Sequence, residues 1–187
     1  MKLISTIQSL KLTTFDGQSG ELNMQSWDEI LKPININKIR LLDCFYTIEI
    51  MVNQIISFYF FGHPIEKKES RRREFDNLIL ASDWCTFASK RKLITHILND
   101  LNPVIGKQKT EYERLLKKCM SYRNAFIHGE LLTDMKIAKL CYFEGSPKEI
   151  TLDDRYFETL EITLNNCVTM TQQIMLNIGA TIAHKPD

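Results

Sequence analysis

An arginine and a histidine stand five positions apart in the stretch of residues 121–129, which reads SYRNAFIHG. Histidine exchanges protons near neutral pH, with an ordinary pKa of about 6.5. Arginine presents a fixed fork of donors that fits two phosphate oxygens. Asn124 lies between them and adds a neutral donor and acceptor that can orient the histidine or contact a phosphate. Arg123, Asn124 and His128 therefore suit proton transfer at an RNA phosphate.

The position of Arg123 on its predicted helix indicates that the guanidinium has a partner or a function. It falls near the middle of an apolar stripe formed by Tyr112, Leu115, Leu116, Cys119, Phe126 and Ile127. Burying an unpaired charge there would cost on the order of several kcal/mol. On an unbroken helix His128 points about 140° away from Arg123, at roughly 100° per residue. Gly129 is typical of a helix end and predicts a bend that brings the imidazole toward the arginine.

A second arginine and histidine, Arg91 and His96, have the same spacing, so spacing alone does not identify a site. The apolar stripe of their predicted helix consists of Phe87, Ile94, Ile97, Leu98 and Leu101. This stripe places His96 on the opposite, solvated face. We therefore interpret the second pair as a chance occurrence.

Hydrophobic periodicity predicts a mainly helical chain with a small β-hairpin. Long helices are expected over residues 37–61, over residues 87–101 after a Thr86 cap, and over residues 154–178. The helix that carries the motif follows a flexible approach at residues 107–109. Residues 137–143 and 149–152 flank a Gly145 turn and predict the hairpin.

The N-terminal 35 residues are predicted to be an extension of the helical domain formed by residues 36–187. Residues 1–25 alternate weakly and indicate an extended arm or hairpin with a turn near Gly17. Residues 26–29 have the form of a capping box, which predicts a short helix that stops near Pro33.

Composition excludes several functional classes. The chain has 187 residues, of which 44% are hydrophobic and 25% are charged, as expected for one globular domain with a sizeable core. The net charge of +1 argues against a protein that coats nucleic acid. Five scattered cysteines argue against a disulfide framework and indicate a cytoplasmic protein. No metal-ligand spacing is present, so we expect no metal ion and no cofactor. Charged residues interrupt the apolar residues 36–61, which favours a buried helix over a membrane span.

The motif and the order of elements resemble the HEPN superfamily, the higher eukaryote and prokaryote nucleotide-binding domains. Its motif is an arginine, usually a polar residue, and a histidine after four to six intervening positions, and here Arg123, Asn124 and His128 fill it. The resemblance extends less specifically over residues 36–178. It implies an up-and-down helical bundle, a homodimer, and metal-independent cleavage of RNA. It also implies a toxin or stress-response effector, with a nucleotidyltransferase or other antitoxin as partner.

Two functional hypotheses remain open at this stage. In the first, two copies of His128 in a dimer supply the acid and the base of an endoribonuclease. In the second, the protein is a non-catalytic HEPN dimer that binds a partner protein or a nucleotide. A sealed salt bridge from Arg123 to Asp43 or Glu49 would favour the second. Glu130 occupies the position where some of these toxins carry a tyrosine that the antitoxin modifies, so that form of control is in doubt.

Further phosphate contacts are predicted at Arg71, Arg72, Arg73 and Lys90. The arginine triplet lies in a run of both charge signs, residues 66–74, and such a run is more often a solvated helix face than an RNA-binding surface.

Overall fold

The structure is a computed structural model, and it describes residues 9–13, 19–62, 66–104, 106–133 and 138–183. The chain is mainly helical with a small antiparallel sheet. The helices are α1 (Met24–Phe61), α2 (Glu66–Phe75), α3 (Phe87–Leu101), α4 (Lys107–His128) and α5 (Asp154–Ala183). The strands are β1 (Ser9–Thr13), β2 (Ser19–Asn23), β3 (Glu130–Thr133), β4 (Ala138–Phe143) and β5 (Pro147–Thr151).

Helix α1 is one continuous helix of 38 residues with Pro33 inside it. The predicted short helix ending near Pro33 is therefore wrong, although proline in a helix interior costs about 3 kcal/mol. Tertiary packing overrides this cost, because Ile34 directly after the proline is buried and begins a stripe that continues through Leu41, Phe45 and Ile48. The division of the chain at residue 35 stays a prediction, and α1 crosses it.

The same helix is apolar enough to be compared with a membrane span. An 18-residue window within residues 31–61 has a mean hydropathy of 1.3, which is sufficient by length and composition alone. Core helices of globular proteins meet the same criterion, and α1 supplies fully buried side chains to the core, among them Leu41, Val52 and Ile55.

The four long helices form a bundle around one hydrophobic core. Helix α1 packs against α3, α4 and α5, and α4 lies between α3 and α5. The cap predicted at Thr86 is confirmed, since its hydroxyl accepts a hydrogen bond from the Ser89 amide. Helix α4 begins at Lys107, so the flexible approach predicted for residues 107–109 is wrong. Helix α2 ends in a short π-helical turn, Asp76–Leu80, where Asp76 accepts a hydrogen bond from Ser57 of α1.

Strands β3, β4 and β5 form an antiparallel sheet that follows directly on α4. The predicted hairpin is confirmed, with Leu140 of β4 opposite Ile150 of β5. Strand β3 was not predicted, and it places Leu131 on the other side of Leu140. The N-terminal strands β1 and β2 also pair as an antiparallel hairpin, and the turn predicted near Gly17 lies outside the described residues.

Candidate functional site

The last two turns of α4 carry the predicted motif. Arg123 is half-buried, and its guanidinium carbon lies 5.5 Å from the ring centroid of Phe45 on α1. Its Nη1 donates a hydrogen bond to Oδ1 of the exposed Asn124 at 3.2 Å. A cation above an aromatic face within about 6 Å is attracted by the ring quadrupole. The arginine is thus positioned by an aromatic ring and a neutral amide.

Phe45 is a residue of the site that the sequence analysis missed. Its side chain is buried, and its ring packs against Phe87 at the start of α3 with 4.7 Å between centroids. Two helices therefore fix the surface on which the guanidinium rests. No sequence signal distinguished Phe45 from its neighbours, because an aromatic residue on the apolar stripe of a long helix is ordinarily a core residue.

The salt bridge that would have sealed Arg123 is absent from the described part of the chain. Asp43 is exposed on α1, and Glu49 instead accepts a hydrogen bond from Lys90 at 2.6 Å. Arg123 forms no ion pair with any described residue. Its half-buried cation therefore remains able to bind an anion from outside the chain.

His128 is exposed and is the last residue of α4. Because the helix is unbroken up to this residue, the imidazole lies about 140° around the axis from Arg123, at roughly 100° per residue. The helix end predicted at Gly129 is confirmed. The predicted approach of the imidazole to Arg123 is not seen, because the chain turns only after His128. Within this chain Arg123 and His128 face different directions.

Gly129 is required here for space rather than for a left-handed conformation. Its φ of −79° and ψ of 154° are those of extended backbone, and its amide donates to the Ala125 carbonyl at 2.8 Å. A β-carbon at this position would lie less than 3.0 Å from the Ala125 oxygen and 2.9 Å from Cδ1 of Leu140. The absence of a side chain thus lets β4 pack against the end of the motif helix.

The other predicted phosphate contacts do not form one surface. Lys90 is buried, and its ammonium is paired with Glu49, so the prediction that it binds RNA is wrong. Arg72 is turned inward, with its guanidinium carbon 4.9 Å from the ring centroid of Phe58. Arg71 and Arg73 are exposed, and Arg73 forms an ion pair with Glu69 one turn away.

The interpretation of His96 agrees with the structure. Its side chain is exposed on α3, and its ring meets the Tyr59 ring edge-on with 6.3 Å between centroids. His96 lies about two and a half turns from the start of α3. The ring beneath Arg123, in contrast, packs against Phe87 at that start.

A separate cavity of about 320 Å³ lies between α1 and α5 and contains no predicted site residue. Arg40, Asp43 and Glu161 contribute charges to it, and burial raises the pKa of the Cys44 thiol at its wall. Among the residues that the structure describes, no group of three histidine, cysteine or acidic side chains could hold a metal ion.

Comparisons of the chain with protein-family models, with curated proteins and with solved structures gave no match.

Proposed function

We propose that the protein is a metal-independent endoribonuclease of the HEPN type that acts in the cytoplasm as a homodimer. The observation that supports this most is the environment of Arg123. A half-buried guanidinium rests on Phe45, contacts Asn124, and has no carboxylate partner among the described residues. An arginine with a purely structural role would be expected to pair with an acid, as Lys90 does with Glu49.

The proposed reaction uses the RNA's own hydroxyl as nucleophile. A base removes the proton of the ribose 2′-hydroxyl while O2′ attacks the adjacent phosphorus. The bond from phosphorus to O5′ breaks, and an acid gives that oxygen a proton. The products are a 2′,3′-cyclic phosphate and a free 5′-hydroxyl. Arginine donors stabilise the negative charge that develops on the phosphoryl oxygens.

Two proton-transfer groups are needed, and one protomer supplies a single motif histidine. A two-fold dimer would place two copies of His128 around one cleft. The divergence of Arg123 and His128 within a protomer favours this arrangement, because a composite site can use the arginine of one subunit with the histidine of the other. Light scattering at tens of micromolar protein should therefore give the mass of a dimer, and a monomer at that concentration would contradict the composite site.

The decisive experiment compares the motif with the chance pair of the same spacing. Arg123→Ala or His128→Ala should lower the rate of cleavage of a single-stranded RNA at least a hundredfold, while His96→Ala should leave it near wild type. Melting temperatures should stay within a few degrees in all three variants, since both histidines are exposed and Arg123 has no carboxylate partner among the described residues. Equal losses from His96→Ala and His128→Ala would refute the assignment.

The chemistry has its own signature. Cleavage should survive EDTA, and RNA with a 2′-O-methyl group at the cleavage site should resist because its nucleophile is blocked. Because one histidine acts as the base and the other as the acid, the rate should pass through a maximum as pH is varied. Cleavage only with added magnesium, leaving 5′-phosphates, would contradict the mechanism.

The second candidate is a non-catalytic HEPN dimer that binds a protein or a nucleotide. It would hold if dimerisation did not bring Arg123 of one subunit to His128 of the other. Protein that forms dimers but never cleaves RNA, with and without divalent metal, would establish this candidate. A toxin role with an antitoxin or nucleotidyltransferase partner belongs to the first candidate. Glu130 begins β3 as an exposed residue, without the hydroxyl that modification of the tyrosine type requires.

A further inference from the structure

A groove of about 540 Å³ lies between α3 and α4, on a different face of α4 from Arg123. Arg91 and Lys92 line it from α3, and Arg114 and Lys117 line it from α4. Glu113 is the acidic residue of this lining. Four cations against one carboxylate make a local positive region in a chain whose net charge is only +1.

Most of these cations are available to an external anion. Arg91, Lys92 and Lys117 form no ion pair with any described residue. Arg114 differs, since two of its nitrogens bind the Glu111 carboxylate at 2.6 and 2.7 Å. This pair lowers the pKa of Glu111 and keeps it ionised, so Arg114 contributes less to the positive region than the other three.

A polar stripe on α4 connects this groove with His128. At roughly 100° per residue, six residues fall within about 40° of one line along the helix. All six are polar, and all but the half-buried Ser121 are exposed: Thr110, Arg114, Lys117, Ser121, Asn124 and His128. With a rise of about 1.5 Å per residue, His128 lies about 16 Å beyond Lys117 on the same face.

One further carboxylate lies beside the stripe and is already neutralised. Glu144, at the end of β4, accepts a hydrogen bond from Lys148 at 2.8 Å. Lys148, and then Ser121 of the stripe, lower the pKa of this carboxylate. The pair therefore bounds the stripe on the sheet side without adding net negative charge to it.

We propose that the α3–α4 groove binds the phosphates of a single-stranded RNA and directs the strand along the polar stripe to His128. The role of His128 in this proposal rests on the proposed function. A phosphate chain fits because lysine and arginine side chains in a row neutralise successive charges without reading bases. The strand is single because attack in line with the departing oxygen requires a backbone free of duplex stacking.

The test measures binding separately from cleavage. A fluorescein-labelled RNA with 2′-O-methyl groups throughout cannot be cut by the proposed reaction, so its Kd can be measured on active protein over a range of salt concentrations. The groove variant is Lys92→Gln with Lys117→Gln. The control variant is Arg71→Gln with Arg73→Gln, which removes two exposed cations from α2. Both lose the same charge, so any general electrostatic effect is matched.

The groove variant should bind about 25-fold more weakly at 0.1 M salt, because each lost contact to a single strand lowers the salt slope by about 0.7. The control should stay within about twofold. Equal weakening in both variants, or no binding by the wild type, would overturn the proposal. If the wild type cleaves unmodified RNA and the groove variant binds as tightly as the wild type, the proposed binding role of the groove is refuted. The proposed ribonuclease activity is then unaffected. If only the groove variant binds more weakly and the wild type never cleaves RNA, the groove is supported as a binding site. The proposed ribonuclease activity is then refuted.

Discussion

Gly129→Ala is expected to be more damaging than the same substitution at Gly106, Gly145 or Gly179, where a β-carbon would meet open space. The new β-carbon would overlap the Ala125 carbonyl and approach Cδ1 of Leu140 to 2.9 Å and the Cys141 oxygen to 3.1 Å. Two of these three atoms belong to the backbone, so relief requires the end of α4 to move away from β4. The hydrogen bond from the Gly129 amide to Ala125 would be strained by the same movement.

The expected loss of unfolding free energy is about 2 to 4 kcal/mol. Overpacking a well-packed site costs about 1 to 3 kcal/mol, and a weakened hydrogen bond costs about 0.5 to 1.5 kcal/mol. For a chain of this size each kcal/mol lowers the melting temperature by roughly 2 to 4 °C. Thermal unfolding followed by circular dichroism should therefore show a decrease of about 5 to 15 °C.

Two other glycines serve as controls for the same substitution. Gly145 has a φ of +72° and open space around it. Gly145→Ala should therefore lower the free energy of unfolding only by the cost of a side chain in the left-handed backbone conformation, about 1 to 2 kcal/mol. Gly179 lies inside α5, also with open space, and Gly179→Ala should stabilise by about 0.5 to 1 kcal/mol. A melting temperature for Gly129→Ala within 2 °C of wild type would show that the junction of α4 and β4 is looser than these distances imply.

Three further predictions concern the core. In urea unfolding, Glu49→Gln should lower the free energy of unfolding by about 3 kcal/mol and Lys90→Met by about 1 to 2 kcal/mol. The first variant leaves a buried ammonium without a partner, whereas the second leaves a partly exposed carboxylate. Equal losses in the two variants would contradict this reasoning. Burial raises the pKa of Tyr112 in the folded protein. Stability should therefore be lost as pH rises past the ordinary tyrosine pKa of about 10, and Tyr112→Phe should reduce this loss in thermal unfolding. An unchanged loss in the variant would mean that another group causes it. A chain that begins at residue 36 should unfold at lower urea concentration, because it lacks the buried Ile34, and an unchanged midpoint would show the first turns of α1 to be dispensable.

Periodicity predicted the bundle well because each long helix has a continuous apolar stripe. It also predicted the hairpin of β4 and β5, where a glycine turn separates two short apolar runs. It did not predict β3, because Leu131 and Leu132 carry no alternation and their strand exists only through pairing with β4. Pro33 failed as a helix boundary for a related reason, since burial of Ile34 is a tertiary effect that local preferences do not contain.

The site was predictable in part. Residue types and spacing identified Arg123, Asn124 and His128, and the apolar stripe indicated that the guanidinium is partly buried. The sequence did not show that Phe45 lies beneath it or that Lys90 pairs with Glu49, because both contacts join residues far apart in the chain. The groove was missed because its cations are divided between two helices, with Arg91 and Lys92 on α3 and Arg114 and Lys117 about 25 residues later on α4.

The pairing of Lys90 with Glu49 has a consequence for how the sequence can diverge. Replacing Glu49 alone leaves a buried ammonium without its counterion, and replacing Lys90 alone leaves a partly exposed carboxylate without one. Substitutions at the two positions should therefore occur together, as a swap of charges or as two apolar residues. Arg123 has no such counterpart within the described chain. In a set of diverged relatives, positions 49 and 90 should covary, while position 123 should stay arginine without covarying with any acidic position. That contrast would separate a constraint imposed by the fold from one imposed by a molecule outside it.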